Sequence, residues 1–425
     1  MTTAIATQLQ SITNTELIEL KAQPDWQQIK QEIDTQQPVC LLLPQTEVAL
    51  AEIVRQAAKQ QWRILICGNA TKITWGKIAK DIQLVVSTQK CDRILEHAVG
   101  DLTVTVEAGM KLKNLQSVLR SHNQFLPINC NHADATLGGI VATADTGSWR
   151  QRYGGVRDLL LGLSFVRADG EIAKAGGRVV KNVAGYDLMK LFTGSYGTLG
   201  IMTQLTFRTY PLISTSQSLL LTGQAKAIAQ ATQTIRNSGL TPTALDLLSA
   251  KLVRQLDLGS NLGLVMRWQT IPESIEQQRL QVEAIAEQLD LSTSTYQDEA
   301  EKKLWQDCTS AINTPQSNDS VICKFGIAPA SAINFLELFK ENITARVHAS
   351  SGIGQLQTDA DYKLIEKMRP HCRQYRGYLT VLSAPQTLKR QVDAWGYSGN
   401  ALKTMQALKN QFDPRNILNP GRFIV

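Results

Sequence analysis

Glycines that could bring a backbone close to a ligand are concentrated in one stretch of this 425-residue chain. It begins Ala135-Thr136-Leu137-Gly138-Gly139-Ile140-Val141-Ala142-Thr143 and continues through Arg152-Tyr153-Gly154-Gly155-Val156-Arg157-Asp158. Gly176-Gly177-Arg178-Val179-Val180-Lys181-Asn182-Val183-Ala184-Gly185-Tyr186-Asp187 follows, then Gly194-Ser195-Tyr196-Gly197-Thr198-Leu199-Gly200-Ile201-Met202-Thr203. Glycine pairs at turns let several N–H groups point at one spot, which suits a pyrophosphate held without much positive charge. An earlier loop, Cys67-Gly68-Asn69-Ala70-Thr71-Lys72, adds Asn and Thr side chains that can donate. Taken alone, that loop reads as an ordinary Gly/Asn turn.

Other candidate groups are sparser. Lys324 and Arg422 are available as anion contacts, although lone cations are commonly solvated or paired. The five histidines, His97, His122, His132, His348 and His371, are widely separated, so no metal site is expected; His348 alone is kept as a functional candidate. Seven cysteines without a CxxC argue against a disulfide framework, a zinc site or an iron–sulfur site, and are expected reduced and mainly buried. Lys181, Asn182, Tyr186 and Asp187 invite a catalytic reading. A structural turn over Asn182–Leu191 leading into a short helix, with Lys181 paired to Asp187, is preferred.

The elements that must position these groups follow from periodicity. An apolar run Val39–Leu43, a helix from Thr46-Glu47 with Leu50, Ile53, Val54 and Ala57 on one face, and a strand Arg63–Ile66 form a βαβ unit delivering the chain to Cys67. Strands are expected at Leu84–Ser87 and Leu102–Glu107, then a helix carrying Leu112, Leu115, Val118 and Leu119. Asp169-Gly170 marks a hairpin. After Pro211, strands Ser214–Leu221, Leu245–Leu248, Leu262–Trp268 and Ser320–Ile327 alternate with helices Ala225–Asn237, Glu273–Leu289 and Glu299–Ala311, an α+β pattern. Ala401–Gln411 reads as a last helix. The Gln-rich start is a polar lead-in with a helix over Thr15–Lys21.

The length predicts more than one domain, with 43% hydrophobic residues to fill the cores. The net charge of +7 and pI near 9.0 come from scattered cations without interleaved aromatics, so nucleic acid is not expected; an anionic cofactor, anionic substrate or acidic partner accounts for them. No basic-then-apolar leader opens the chain and no run of 18 apolar residues occurs. The expectation is a cytoplasmic protein without direct membrane insertion, with any membrane contact made through partner subunits.

Together, the G-N-x-T-K loop, the Glu107-Ala108-Gly109 turn, A-T-L-G-G-I-V-A-T and R-Y-G-x-x-R-D resemble the FAD-binding domain of the vanillyl-alcohol oxidase/PCMH flavoprotein superfamily. K-N-V-A-G-Y-D-L-M-K-L, G-S-Y-G-T-L-G and the terminal F-D-P-R-N-I-L-N-P-G-R-F narrow the resemblance to the E-subunit family of glycolate oxidase (glycolate dehydrogenase). It implies an α+β protein: a lead-in at 1–35, a PCMH-type FAD-binding domain of two α/β subdomains at 36–213, an α+β cap at 214–385, and a segment at 386–425 packing back on the FAD domain. It also implies that Gly68, Asn69, Ala70 and Thr71 line the pyrophosphate from one side, and Thr136, Leu137, Gly138 and Gly139 from the other, with Cys67, at the start of the first loop, also at the cofactor. Gly109 joins them, Thr143 and Gly147 lie near the ribityl chain or ring, and Ile201 offers backbone to the pyrimidine edge. With no His in the first loop, FAD is expected bound but not covalently linked.

For chemistry, the resemblance implies an FAD-dependent oxidoreductase in a complex with a catalytic D-type flavoprotein subunit and an iron–sulfur F-type subunit, acting on small 2-hydroxy acids. Lys324 in Cys323-Lys324-Phe325-Gly326-Ile327 resembles a carboxylate-binding lysine of related 2-hydroxy-acid dehydrogenases. Their histidine-rich metal segment is degraded here to Val347-His348-Ala349-Ser350-Ser351-Gly352-Ile353-Gly354. Two readings stay open: oxidation of glycolate or a similar acid with electrons passed to a partner, or an accessory flavin-binding subunit without its own substrate chemistry.

Overall fold

The computed structural model describes residues 2–19, 27–35, 40–130, 132–178 and 185–424. The chain divides into two units, one of Met1–Thr146, Gly154–Leu212 and Tyr397–Val425, the other of Gly147–Tyr153 and Ile213–Gly396.

In the first unit, Cys40–Pro44 runs parallel to Leu84–Ser87, which runs parallel to Ile64–Cys67. The crossover helix Glu47–Gln60 starts at Thr46, whose Oγ1 accepts the Ala49 N–H at 3.1 Å, and buries Leu50, Ile53, Val54 and Ala57. Successive strand residues enter different cores: Leu42, Leu84 and Val86 join Leu50 and Ile53, while Leu41, Leu43 and Val85 join Leu65 and Ile73. The sheet is thus apolar on both faces, as parallel strands covered on each side require.

The expected helix over Thr15–Lys21 is instead a strand, Thr15–Glu19, antiparallel to Cys40–Pro44. Leu17 packs on one core and Ile18 on the other, a period of two that an edge strand uses and a helix does not. The polar opening is also not detached: Ile5 and Leu9 of helix Thr2–Leu9 are buried with Leu50 and Ile53, and Ile29 is buried with Leu41.

A second sheet in this unit is antiparallel, ordered Ile172–Gly176, Leu160–Val166, Ile201–Arg208, Thr103–Glu107, Ile94–Ala98. Helix Leu112–Arg120 buries Leu112, Leu115 and Leu119 beneath it, leaving Val118 exposed. The Asp169-Gly170 turn joins its first two strands, with Asp169 Oδ1 accepting the Glu171 N–H at 3.1 Å.

The second unit is one eight-stranded antiparallel sheet in which Ala244–Leu248, Thr344–His348, Ile353–Asp359 and Ser320–Gly326 are consecutive neighbours. Alternation along Ser216–Gly223 again feeds two cores: Leu219 and Leu221 pack with Ile228 and Val282, and Leu220 packs with Leu252 and Leu304. Helices Ala225–Arg236, Pro272–Gln288 and Asp298–Asn313 fall within a residue or two of their predicted spans.

Candidate functional site

A cavity of about 760 Å³, counted to its open mouth, lies within the first unit. Cys67, Gly68, Asn69, Ala70, Thr71 and Lys72 line it from the end of strand Ile64–Cys67, and Thr136, Gly138, Gly139 and Thr143 from a short helix. Tyr196, Gly197, Ile201, Asn419 and Arg422 complete much of the wall. Its size suits a cofactor.

The first loop supplies donors. Ala70 takes a left-handed conformation (φ +53°) and its carbonyl accepts the Ile73 N–H at 2.9 Å. Among the described residues, the amides of Gly68, Asn69, Ala70 and Thr71 find no acceptor. Consecutive free amides around a left-handed residue make a concave anion nest, which fits a pyrophosphate. The Asn69 side chain is engaged elsewhere, donating to the Asp134 carbonyl at 3.2 Å. Gly68 permits the contact between loops: a Cβ there would lie 2.0 Å from Thr136 Oγ1.

The second loop behaves differently from expectation. The Leu137 N–H donates to Met110 O at 2.9 Å and the Gly138 N–H to Ala108 O at 2.8 Å, so neither amide is free for a ligand. Gly139 N–H donates to its own cap, Thr136 Oγ1, at 3.3 Å. Leu137 is fully buried in the core with Ile140 and does not line the cavity. Gly109 is also outside the lining; its Cβ would lie 1.9 Å from Thr88 O, so packing explains that glycine. Gly147 opens the segment that groups with the second unit.

The C-terminal segment clasps the cavity. Asn419 Oδ1 accepts the Ile66 N–H at 2.7 Å, and its Nδ2 donates to Tyr196 O at 2.6 Å. Buried Lys409 donates to Thr198 O and Leu418 O and pairs with Asp413 at 2.5 Å. Arg422, expected as an anion contact, spends its guanidinium on the carbonyls of Ile73, Trp75 and Lys77, with Glu32 at 3.6 Å. Sequence reasoning also missed a buried pair, Lys72 Nζ to Asp145 Oδ2 at 3.0 Å.

In the second unit, His348 stands opposite Asp246 in register, and its Nδ1 lies 2.7 Å from Asp246 Oδ1. Asp246 Oδ2 accepts from Ser148 Oγ and lies 3.7 Å from Arg346 Nε. Burial pushes the Asp246 carboxyl up, but His348, Arg346 and Ser148 outweigh it and hold the group below its ordinary value. A carboxylate only accepts, so His348 carries its proton on Nδ1. Among the described residues, Nε2 has no partner.

Lys324 lies opposite Gln355, which lies opposite Arg346. Residues directly opposite share a sheet face, so Lys324, Arg346, His348 and Asp246 stand on one face, with Lys324 about 10 Å from the Arg346 strand. Such a row can hold a carboxylate and accept a proton. Asp246 and Arg346 were not foreseen; a lone Asp inside Ala244-Leu245-Asp246-Leu247-Leu248 was the available signal.

Lys181 and Asn182 lie outside the described residues; Asp187 pairs with Lys190 at 2.5 Å before helix Leu188–Phe192, and Tyr186 is 90% exposed. Among the described residues no group of three His, Cys, Asp or Glu could hold a metal, and no helix is long and apolar enough to cross a membrane. None of the seven cysteines is joined in a disulfide, and burial pushes the Cys67 thiol up to about 12, which suppresses the thiolate.

Residues 38–176 match the family described as "FAD binding domain", and residues 387–423 match "FAD linked oxidases, C-terminal domain". The chain is 26% identical over 416 residues to glycolate oxidase subunit GlcD of Bacillus subtilis, covering 91% of this chain and 88% of that protein. It is 36% identical over 174 residues to glycolate oxidase subunit GlcE of Escherichia coli, covering 40% of this chain and 49% of that one. In fold it is similar to 4-ethylphenol oxidase from Gulosibacter chungangensis, with a TM-score of 0.76 and 13% identity over 99% of this chain and 96% of the other. The resemblance to the E subunit is therefore local, whereas that to the D subunit spans both units.

Proposed function

We propose that this FAD-linked oxidoreductase, built on the PCMH-type FAD-binding fold, oxidises glycolate or a similar small 2-hydroxy acid within a glycolate oxidase-type complex. The observation that carries this reading is the polar face of the second unit, where Lys324, Arg346 and the His348–Asp246 pair are gathered by strand register. Lys324 holds the substrate carboxylate. His348 Nε2 would take the hydroxyl proton, and a bound FAD would supply the two-electron oxidising power that turns the hydroxy acid into the 2-oxo acid. The nest at Gly68–Thr71 holds the pyrophosphate of a non-covalent FAD. Partner subunits of such a complex, an iron–sulfur subunit among them, would take the electrons onward; this chain has no CxxC with which to hold a cluster itself.

An accessory role without substrate chemistry is the second reading. It is supported by the Val347–Gly354 segment, which retains a single His. An anaerobic visible spectrum of the chain alone, before and after glycolate and then D-lactate, separates the two. Bleaching of the flavin is expected. A flavin that bleaches only once partner subunits are present means that the chain borrows its chemistry.

A further inference from the structure

One charge at the cofactor cavity has no role in the backbone scheme. Lys72 directly follows the four residues with free amides, lines the same cavity and is 8% exposed. Its ammonium carries three protons. One faces Asp145 at 3.0 Å; the Trp75 ring lies 5.6 Å away, and no other acceptor is found among the described residues. Asp145 is buried as well, and that single contact with Lys72 is its only side-chain partner among the described residues. A buried ion pair is a poor stabiliser when its remaining donors stay unsatisfied, because two charges have lost water for one contact. Such a pair at a cavity wall is explained by a ligand that completes it.

We infer that Lys72 is a full positive charge held for the pyrophosphate of FAD, and that Asp145 is the carboxylate that balances and positions it. The phosphates then meet partial charges from four amides and one ammonium, rather than backbone alone. Asp145 keeps the ammonium from being stranded before the cofactor arrives. A purely structural ion pair would have the second consequence but not the first.

The two halves of the pair therefore respond in opposite senses. FAD and riboflavin dissociation constants, from flavin fluorescence, and the melting temperature of the cofactor-free full chain test this. Lys72→Met is expected to weaken FAD at least tenfold and to leave riboflavin, which lacks phosphates, within twofold; Lys72→Arg should recover most of the loss. Asp145→Asn is expected to lower the melting temperature of the empty protein without weakening FAD. If Lys72→Met folds poorly, Lys72→Gln and Lys72→Arg supply the same comparison.

FAD affinity within twofold of wild type in Lys72→Met or Lys72→Gln overturns the inference. So does an Asp145→Asn variant that loses FAD as severely as Lys72→Met, the mark of a structural pair. Equal weakening of FAD and riboflavin assigns the ammonium to the ring and overturns the pyrophosphate role.

Discussion

The cofactor cavity of the first unit and the polar sheet face of the second are built from different materials. The cavity is chiefly backbone: free amides at Gly68–Thr71, with the carbonyls and amides around them fixed by Asn419 and Arg422. The sheet face is side chain: Ser148, Asp246, Arg346 and His348 meet across 98 to 102 positions of sequence. A backbone site announces itself through glycine, because close approach excludes a Cβ. A side-chain site across strands has no such local mark, since register alone decides who meets whom.

The sharpest way to break this contrast is to fill the backbone site. Gly139 faces the cavity, and a Cβ there would meet only Thr136 Oγ1, at 3.2 Å, so its helix tolerates a side chain. Gly139→Leu should abolish FAD binding, read as loss of flavin absorbance with an unchanged far-UV spectrum. Full occupancy would remove the cavity from the scheme.

The side-chain site should fail in the opposite way. His348→Gln should keep its FAD yet slow flavin reduction by a 2-hydroxy acid roughly 10²–10⁴-fold in a stopped-flow experiment, the span of general-base effects. An unchanged rate would leave the sheet face a packing device.

A smaller change tests whether the clasp belongs to the cavity. Asn419→Ala removes two hydrogen bonds and leaves the Ile66 N–H without its acceptor, a loss of roughly 2 kcal/mol. A lower melting temperature and faster FAD release are expected together; unchanged release would confine Asn419 to stability.

The smallest effect is on pH. Burial first, then the charge of Lys72, lowers the titration of His132 from its ordinary 6.5, with Asp145 opposing. The folded chain then binds this proton less readily than the unfolded chain, so the contribution is present above pH 6.5 and is lost as pH falls through the lowered value. His132→Gln should flatten the fall in melting temperature below pH 6.5.

Much of the fold was legible because each core writes its own period. Leu50, Ile53, Val54 and Ala57 could only be one helix face, and the run Leu262–Trp268 only a buried strand. Thr15–Glu19 was misread because two adjacent apolar residues carry no period by themselves; the sheet edge decided it. The glycine loops led to the cavity but not to their division of labour. Thr136-Leu137-Gly138-Gly139 has the composition of a donor loop, yet its amides serve Met110, Ala108 and Thr136. Arg346 and Asp246 stayed hidden because opposition to Gln355 and His348 is a property of pairing, not of spacing.

The Asn419 contacts also set an order of events during synthesis. Ile66 is made early, and its partner comes 353 positions later. A ribosome can therefore release the strands and helices of both units for folding while the cavity wall still lacks its last piece. Cofactor loading at this wall therefore waits until Asn419 has been made, 353 positions after its partner Ile66.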